Sequence, residues 1–544
     1  MTQHPPRHTD RVEAYIEAVD RYEPTHVREH EDAFRLFARS MSRSLDARYL
    51  ERHPTEELLP DLEHLMVCSL RRQPRETNVS ITTNDDGTHR GVLTLCVKDY
   101  PFLISTIRLA LDAFQVRSFR SLSCVMPIRR DTTGEISAVG TNDGVDELVM
   151  WIEIEAENLS AQQADLQSEI RHRLDDTCAA VHDFPAIREQ VQQLADQFET
   201  LGQTDSEEHT LHASNAEFLR WLLDDHFIFL GTRFIPLEGV SADTWASLGV
   251  ATVDSQRTIS PGKTERAIID SGPLAPWLWL RKSQTESWTY RPGLTDRLLA
   301  YTHDAEGTPN GLLMFEGLFS FQALAEPKTN IPLLNVMLEK LFTQLHASRG
   351  SHRHRTIRNA FNSLPLEYLF SLDLNAVLDL VEQLLDVDKE SRLQVHITKD
   401  DHQAYAFVFI TLPRPHYSDE LRADIRRLLK ARFDARSVDG GVYAGGTESV
   451  AVHYFLTGTT SLDERSKEEL VAEIDQLSRP WHERLNDELS QRFDKGHARN
   501  LHSLYCNAFP RRYREETSMA RTVRDIELLE ELHDEDRFNC DLYR

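Results

Sequence analysis

The chain has 544 residues, 40% of them hydrophobic and 27% charged, and 88 acidic against 61 basic residues give a formal net charge of −27. That length exceeds what one growing core supports, so three or four ordered domains are expected. The acidic excess disfavours nucleic acid and anionic membrane as main partners, because both reward positive charge.

No apolar run approaches the length of a membrane span. The N-terminus, MTQHPPRHTD, is polar and has no signal-peptide core, so a cytoplasmic location is expected. Cys68, Cys96, Cys124, Cys178, Cys506 and Cys540 are scattered, with no C-x-x-C pair, which argues against a disulfide framework and against structural zinc.

Residues 1–85 read as a helical segment, with Phe34, Phe37 and Met41 on one helix face. Residues 86–185 form the first patterned domain. Val92–Val97 is a strand, ended by Lys98-Asp99-Tyr100-Pro101. Leu103, Ile107, Ala110, Leu111 and Phe114 then share one helix face, and Pro101 suits a first turn. Val116–Ile128 is a second strand. In the third, Leu148, Met150, Ile152 and Ile154 alternate with Trp151, Glu153 and Glu155, and a helix follows over 160–181. This β-α-β-β-α order is most of a ferredoxin-like unit.

Residues 186–213 are polar and read as a linker, after which Ser214-Asn215-Ala216-Glu217 reads as a capping box. Residues 214–345 form a mixed α/β middle domain, with SWTYRPG (287–293) and MFEGLFS (314–320) as its best-patterned pieces. Residues 346–390 make a helical connection. Residues 391–460 give a second small sheet unit. Leu393, Val395 and Ile397 alternate with polar residues, Asp400-Asp401-His402 turns the chain, and Tyr405–Leu412 returns. Ser418 caps a helix, and strands 435–443 and 450–456 close the unit. Residues 461–544 are helical and charged, ending in a strand-like stretch that stops short, so a fragment of a larger protein is expected.

Chemical motifs are sparse. The chain has no G-x-x-x-x-G-K-[ST], no G-x-S-x-G, no H-E-x-x-H and no G-x-G-x-x-G. Gly440-Gly441 and Gly445-Gly446 lie between strands, so a bulge or hairpin turn is favoured over a phosphate loop. His346, His352 and His354 alternate with arginines, which repel cations, so no metal site is assigned. Asp224-Asp225-His226 has no nucleophile beside it and reads as a helix end turning into a strand. Asp99, Tyr100, Pro101 and Phe102 are the candidate ligand-binding residues. Orphan N–H groups at the following helix would suit a carboxylate, whereas Asp99 as a cap would fill the same donors itself.

A strand, Asp-x-Pro and a helix in a β-α-β-β-α unit resemble an ACT domain, the amino-acid-sensing module of metabolic enzymes. KDYPFLISTI (98–107), LRWLLDDHFIFLG (219–231), FEGLFS (315–320), VHITKDDHQAYAFVFITLPR (395–414), WHERLNDEL (481–489) and NAFPRRYREE (507–516), in that order, resemble the N-terminal region of the large NAD-specific glutamate dehydrogenases of bacteria. The resemblance implies an α+β multidomain fold with two ACT-like units. It also implies a regulatory and oligomer-building role, and a parent reaction of L-glutamate, NAD⁺ and water to 2-oxoglutarate, ammonium and NADH. The family's lysine loop and Rossmann turn do not occur here, so no catalytic residue carries over and the chain alone is expected to be inactive. NAD is implied for the parent only. The implied partners are its own catalytic module or another copy, and an amino-acid effector. The alternative is a stand-alone amino-acid-sensing or protein-docking ACT protein. One departure stands out: the usual glycine after Asp-x-Pro is Phe102, which restricts backbone approach by a ligand.

Overall fold

The computed structural model describes residues 8–45, 47–83, 90–157, 159, 162–202, 207–252, 261–272, 277–386, 393–400, 405–443, 449–458, 464–510, 513–514 and 517–534. The turn at Asp401-His402, Gly445-Gly446, Cys540 and the strand-like end of the chain lie outside them. Contacts divide the chain into a first unit (1–197, 227–261 and 285–318) and a second (198–226, 262–284 and 319–544).

The first unit opens with α1 (His8–Arg21), α2 (Glu31–Met41), α3 (Ala47–Arg52) and α4 (Thr55–Ser69). A five-stranded antiparallel sheet follows, from β1 (Asn78–Thr83), β2 (Arg90–Lys98), β3 (Ser118–Arg130), β4 (Ile136–Val139) and β5 (Val145–Glu155), in the order β1-β2-β5-β3-β4. Helix α5 (Leu103–Ala113) joins β2 to β3, and α6 (Gln163–Leu201) follows β5. The sheet is buried on both faces. Leu148, Met150, Ile152 and Ile154 pack with Leu103, Ile107 and Ala110 of α5 and with Leu166, Ile170 and Leu174 of α6. Val149 and Trp151 face the other way, onto Phe34, Phe37 and Met41 of α2 and Leu62 and Met66 of α4. The strand alternation read from the sequence therefore sorts residues between two cores.

The edge position beside β2, which a ferredoxin-like unit fills with a strand after its last helix, is filled here by β1, which precedes β2 in the chain. Strand β1 lies before residue 86, so the expected start of this domain falls inside its sheet. The linker expected over 186–213 is also corrected. Helix α6 continues through Pro185 to Leu201, and α7 (Glu207–Trp221) begins before residue 213. Ser214 is inside α7 with its Oγ donating to the Thr210 carbonyl at 2.9 Å, so Ser214–Glu217 is not a cap.

The remainder of the first unit holds β6 (Phe227–Pro236) and β7 (Leu248–Gly249), with β9 (Leu294–His303) and β10 (Pro309–Phe319) beyond them; β8 (Leu278–Glu286) is shared out between the two units. The segment SWTYRPG is a tight loop, closed by the Ser287 N–H donating to the Gly293 carbonyl at 2.8 Å.

The second unit contains α7, α8 (Lys263–Ser271), α9 (Phe321–Ala325), α10 (Pro332–Gln344), α11 (His352–Ser363), α12 (Leu366–Ser371) and α13 (Leu374–Asp386). Its sheet has the order β11-β12-β14-β13, from β11 (Gln394–Asp400), β12 (Tyr405–Pro413), β13 (Ser437–Tyr443) and β14 (Ser449–Thr457), all antiparallel neighbours. Helix α14 (Asp419–Arg432) joins β12 to β13, and α15 (Glu464–Ser478) follows β14. Ser418 caps α14 as expected, its Oγ accepting the Leu421 N–H at 3.1 Å. The wiring repeats that of the first sheet without its short edge strand β4: an edge strand, then β-α-β-β-α. Three further helices, α16 (Trp481–Arg492), α17 (Lys495–Tyr505) and α18 (Met519–Asp534), pack around Leu485, Leu489, Leu501 and Ile526.

Gly440 and Gly441 lie within β13, paired in unbroken register with Tyr454 and His453, so they form neither a bulge nor a turn. A Cβ on Gly441 would stand 2.7 Å from Cε1 of His453, which is why a glycine faces that ring. The Asp224-Asp225-His226 corner is structural. Asp225 has φ 56°, and His226 is buried, stacked on Trp221 at 4.2 Å, with Nδ1 at 2.8 Å from the Trp221 carbonyl.

Candidate functional site

The corner after β2 has the shape that the sequence suggests but different cap chemistry. The Asp99 N–H donates to the Asp146 carbonyl at 2.9 Å, and no side chain caps α5. The Asp99 carboxyl is raised, first by lost solvation and then by the like charge of Asp146. A carboxylate accepting helix N–H groups would be lowered instead, so Asp99 is not the cap.

Phe102 occupies the left-handed region, with φ 72°. The glycine-like backbone of the corner is kept although the residue has a ring. That geometry costs an L-residue about 1–2 kcal/mol. The Phe102 ring meets Tyr290 edge-on at 5.3 Å, a contact of about 0.5–1.5 kcal/mol. The two terms nearly cancel. Phe102→Gly is therefore expected to change stability by less than about 1 kcal/mol, whereas Phe102→Val, β-branched at positive φ and lacking the ring, should cost about 2 kcal/mol or more. Urea unfolding of both variants checks this.

One turn further on, Thr106 is fully buried, with Oγ1 at 3.1 Å from Thr177 Oγ1 and 2.8 Å from Thr289 Oγ1. The loop bearing Thr289 and Tyr290 thus covers one side of the corner. The other side opens into a cleft of about 510 Å³.

Four segments line this cleft: the end of β2 and its corner (Val97, Lys98, Tyr100), the loop from Arg72 to Thr77, one face of α6 (Asp175, Cys178, Ala179, His182, Asp183), and Thr252 after β7. Of the four candidate residues, Tyr100 alone lines it; Asp99, Pro101 and Phe102 do not. Lys98 Nζ lies 4.8 Å from the centre of the Tyr100 ring. Among the described residues, neither Lys98 nor Arg75 has an ion pair. Asp175 Oδ1 is buried without a hydrogen-bond partner. Burial is the largest influence on the Asp175 carboxyl and raises it, against lowering by Thr77 and Arg171. Asp183 is spent on the Gly249 N–H, at 2.8 Å. Burial and the charge of Asp175 push the Cys178 thiol up to about 12, so it is no thiolate nucleophile at neutral pH. The arrangement is one of binding: free cations for a carboxylate, and a free carboxylate oxygen for an ammonium.

Arg72 has a different role. It is buried and forks onto Glu147, with Nη2–Oε1 at 2.7 Å and Nε–Oε2 at 3.1 Å, while its Nη1 donates to the carbonyls of Gln73 and Glu76 at 3.0 Å. It fixes the loop that forms one wall of the cleft. The other sequence candidates are not assembled into a site. His352 Nδ1 contacts Thr356 at 3.3 Å, and His354 stacks on Phe342 at 3.9 Å. No helix among the described residues is long and apolar enough to cross a membrane.

Comparison with known families finds three matches: "Glutamate dehydrogenase, ACT1 domain" over residues 37–170, "Glutamate dehydrogenase, ACT2 domain" over 394–482, and "Glutamate dehydrogenase, helical motif 2" over 488–532. The relatives include the NAD-specific glutamate dehydrogenases of Halomonas elongata (24% identical over 82% of this chain), Pseudomonas aeruginosa (21% over 81%) and Mycobacterium tuberculosis (20% over 85%). The matched regions cover 28%, 28% and 29% of those proteins' lengths. The chain thus resembles the ACT-bearing region of the large bacterial NAD-specific glutamate dehydrogenases, and its fold is α+β and multidomain.

Proposed function

We propose that this chain is the N-terminal regulatory and oligomer-building part of a large NAD-specific glutamate dehydrogenase, with the cleft beside β2 as its effector site for a free amino acid. The observation that carries the reading is the juxtaposition of unpaired Arg75 and Lys98 with the unpartnered Asp175 Oδ1. An α-amino acid presents the complementary pair, a carboxylate and an ammonium. Tyr100 supplies an apolar wall, and the covered corner at Asp99–Phe102 holds β2 and α5 in place around it.

In this reading, oxidation of L-glutamate by NAD⁺ belongs to a catalytic module outside these residues, and NAD binds there. The partners are that module or a second copy of the chain, in the cytoplasm. Calorimetric titration of the 544-residue protein with each proteinogenic amino acid tests the effector site. At least one should bind saturably, and Lys98→Gln and Arg75→Gln should each weaken it by about tenfold, the loss expected for a charged hydrogen bond. No heat from any amino acid would overturn the site assignment.

A further inference from the structure

We propose that the second unit carries an anion site, in which Arg484, Arg514 and the indole N–H of Trp481 bind a small anion bearing phosphate or two carboxylates. The site is a cleft of about 590 Å³ between the start of α14 and the start of α16. It shares no residue with the cleft beside β2, so it stands or falls independently of the amino-acid site.

Most charges in the cleft are already matched. Asp424 is paired with Arg427. Arg479 bridges Asp487 at 3.1 Å and Asp475 at 3.3 Å. Glu420, the remaining acid of the lining, has an interaction of its own. Arg484 and Arg514 are left with no ion pair among the described residues. The Arg484 Nε is buried and has no hydrogen-bond partner. Burial lowers the guanidinium pKa, against the opposing charge of Asp424. A buried donor without an acceptor is costly and rare, and a guanidinium fork is shaped for two acidic oxygens.

Trp481 stands three residues before Arg484, on the same helix face. Its Nε1 is likewise buried without a partner. The Arg514 guanidinium lies 5.4 Å from the centre of the Trp481 ring, with its Nε donating to the Phe509 carbonyl at 2.9 Å. That contact holds the Arg514 side chain in place while its terminal nitrogens stay available. Three donor groups without acidic partners thus border one cleft. Two guanidinium groups without an ion pair among the described residues favour an anionic ligand.

The test is calorimetric titration of the full chain with pyrophosphate, ADP and glutarate at constant ionic strength. Saturable binding of at least one is expected. Arg484→Gln should weaken it by about tenfold or more. Arg484→Lys, which keeps the charge and loses the fork, should fall between. Binding of pyrophosphate or ADP without glutarate identifies phosphate as the recognised group; the converse identifies the dicarboxylate. Should Arg484→Gln fail to fold, Arg514→Gln carries the same expectation. Absence of saturation with all three ligands, or unchanged affinity in the variant, would overturn the proposal.

Discussion

Glu147→Gln is expected to destabilise the first unit by about 3–5 kcal/mol, the cost of removing one member of a buried ion cluster. Glu147 is 1% exposed in the middle of the first sheet. It accepts from Arg72 on one side, and from Arg130 through Nε–Oε1 at 2.8 Å and Nη2–Oε2 at 2.7 Å on the other. Cys96 Sγ lies 3.0 Å from Oε2. Glutamine keeps the volume but leaves two guanidinium groups facing one neutral amide. Burial alone would raise the Glu147 carboxyl, but the hydrogen bonds and charges of Arg130 and Arg72 outweigh it and hold it down at about 2. The folded value lies below the unfolded one. The stabilisation is therefore complete above about pH 4.5 and is lost as pH falls from there toward 2. Urea unfolding at neutral pH measures the cost; a loss under about 1 kcal/mol would remove the cluster from its structural role. Because Arg72 also holds one wall of the cleft beside β2, the same variant should weaken amino-acid binding there.

His453→Phe should remove most of the acid sensitivity of the second unit between pH 6.5 and 4. His453 is 2% exposed, stacked against Phe407 at 5.8 Å, and its Nδ1 is buried without a partner. Burial lowers its pKa from 6.5 to about 4. Below pH 6.5 the unfolded chain takes up a proton that the folded chain refuses, so stability falls with pH through that window, by roughly 3 kcal/mol in all. Phenylalanine fits the same aromatic layer and buries no unpaired nitrogen, so stability at pH 7 should hold or rise. Unfolding midpoints of the two proteins across pH 4–7 should diverge toward the acid end. Parallel curves would show that His453 is not the group responsible.

Glu147 marks where the sequence stops being legible. Strand alternation places Leu148, Met150 and Ile152 opposite Trp151, and the structure sends them to separate cores. Alternation cannot show that Glu147, near the start of the same strand, is buried with Arg72 and Arg130, because that depends on which strands become neighbours. Strand β1 escaped notice because NVSITT is short and largely polar, suited to a sheet edge. Ser214 and Glu217 have the spacing of a capping box, but a preceding turn of α7 provides the helix start, and Ser214 bonds back to Thr210 instead. The corner at Asp99–Phe102 was legible as a strand-to-helix turn. The cleft beside it was not, since Arg75, Lys98 and Asp175 come from three distant segments and only the fold brings them together.

The most direct measurement is glutamate-dependent reduction of NAD⁺ by the purified 544-residue chain, followed by absorbance of NADH. A regulatory part whose chemistry resides elsewhere should give no turnover above the protein-free control. Sustained NADH formation by this chain alone would contradict that reading and require a catalytic site within these residues.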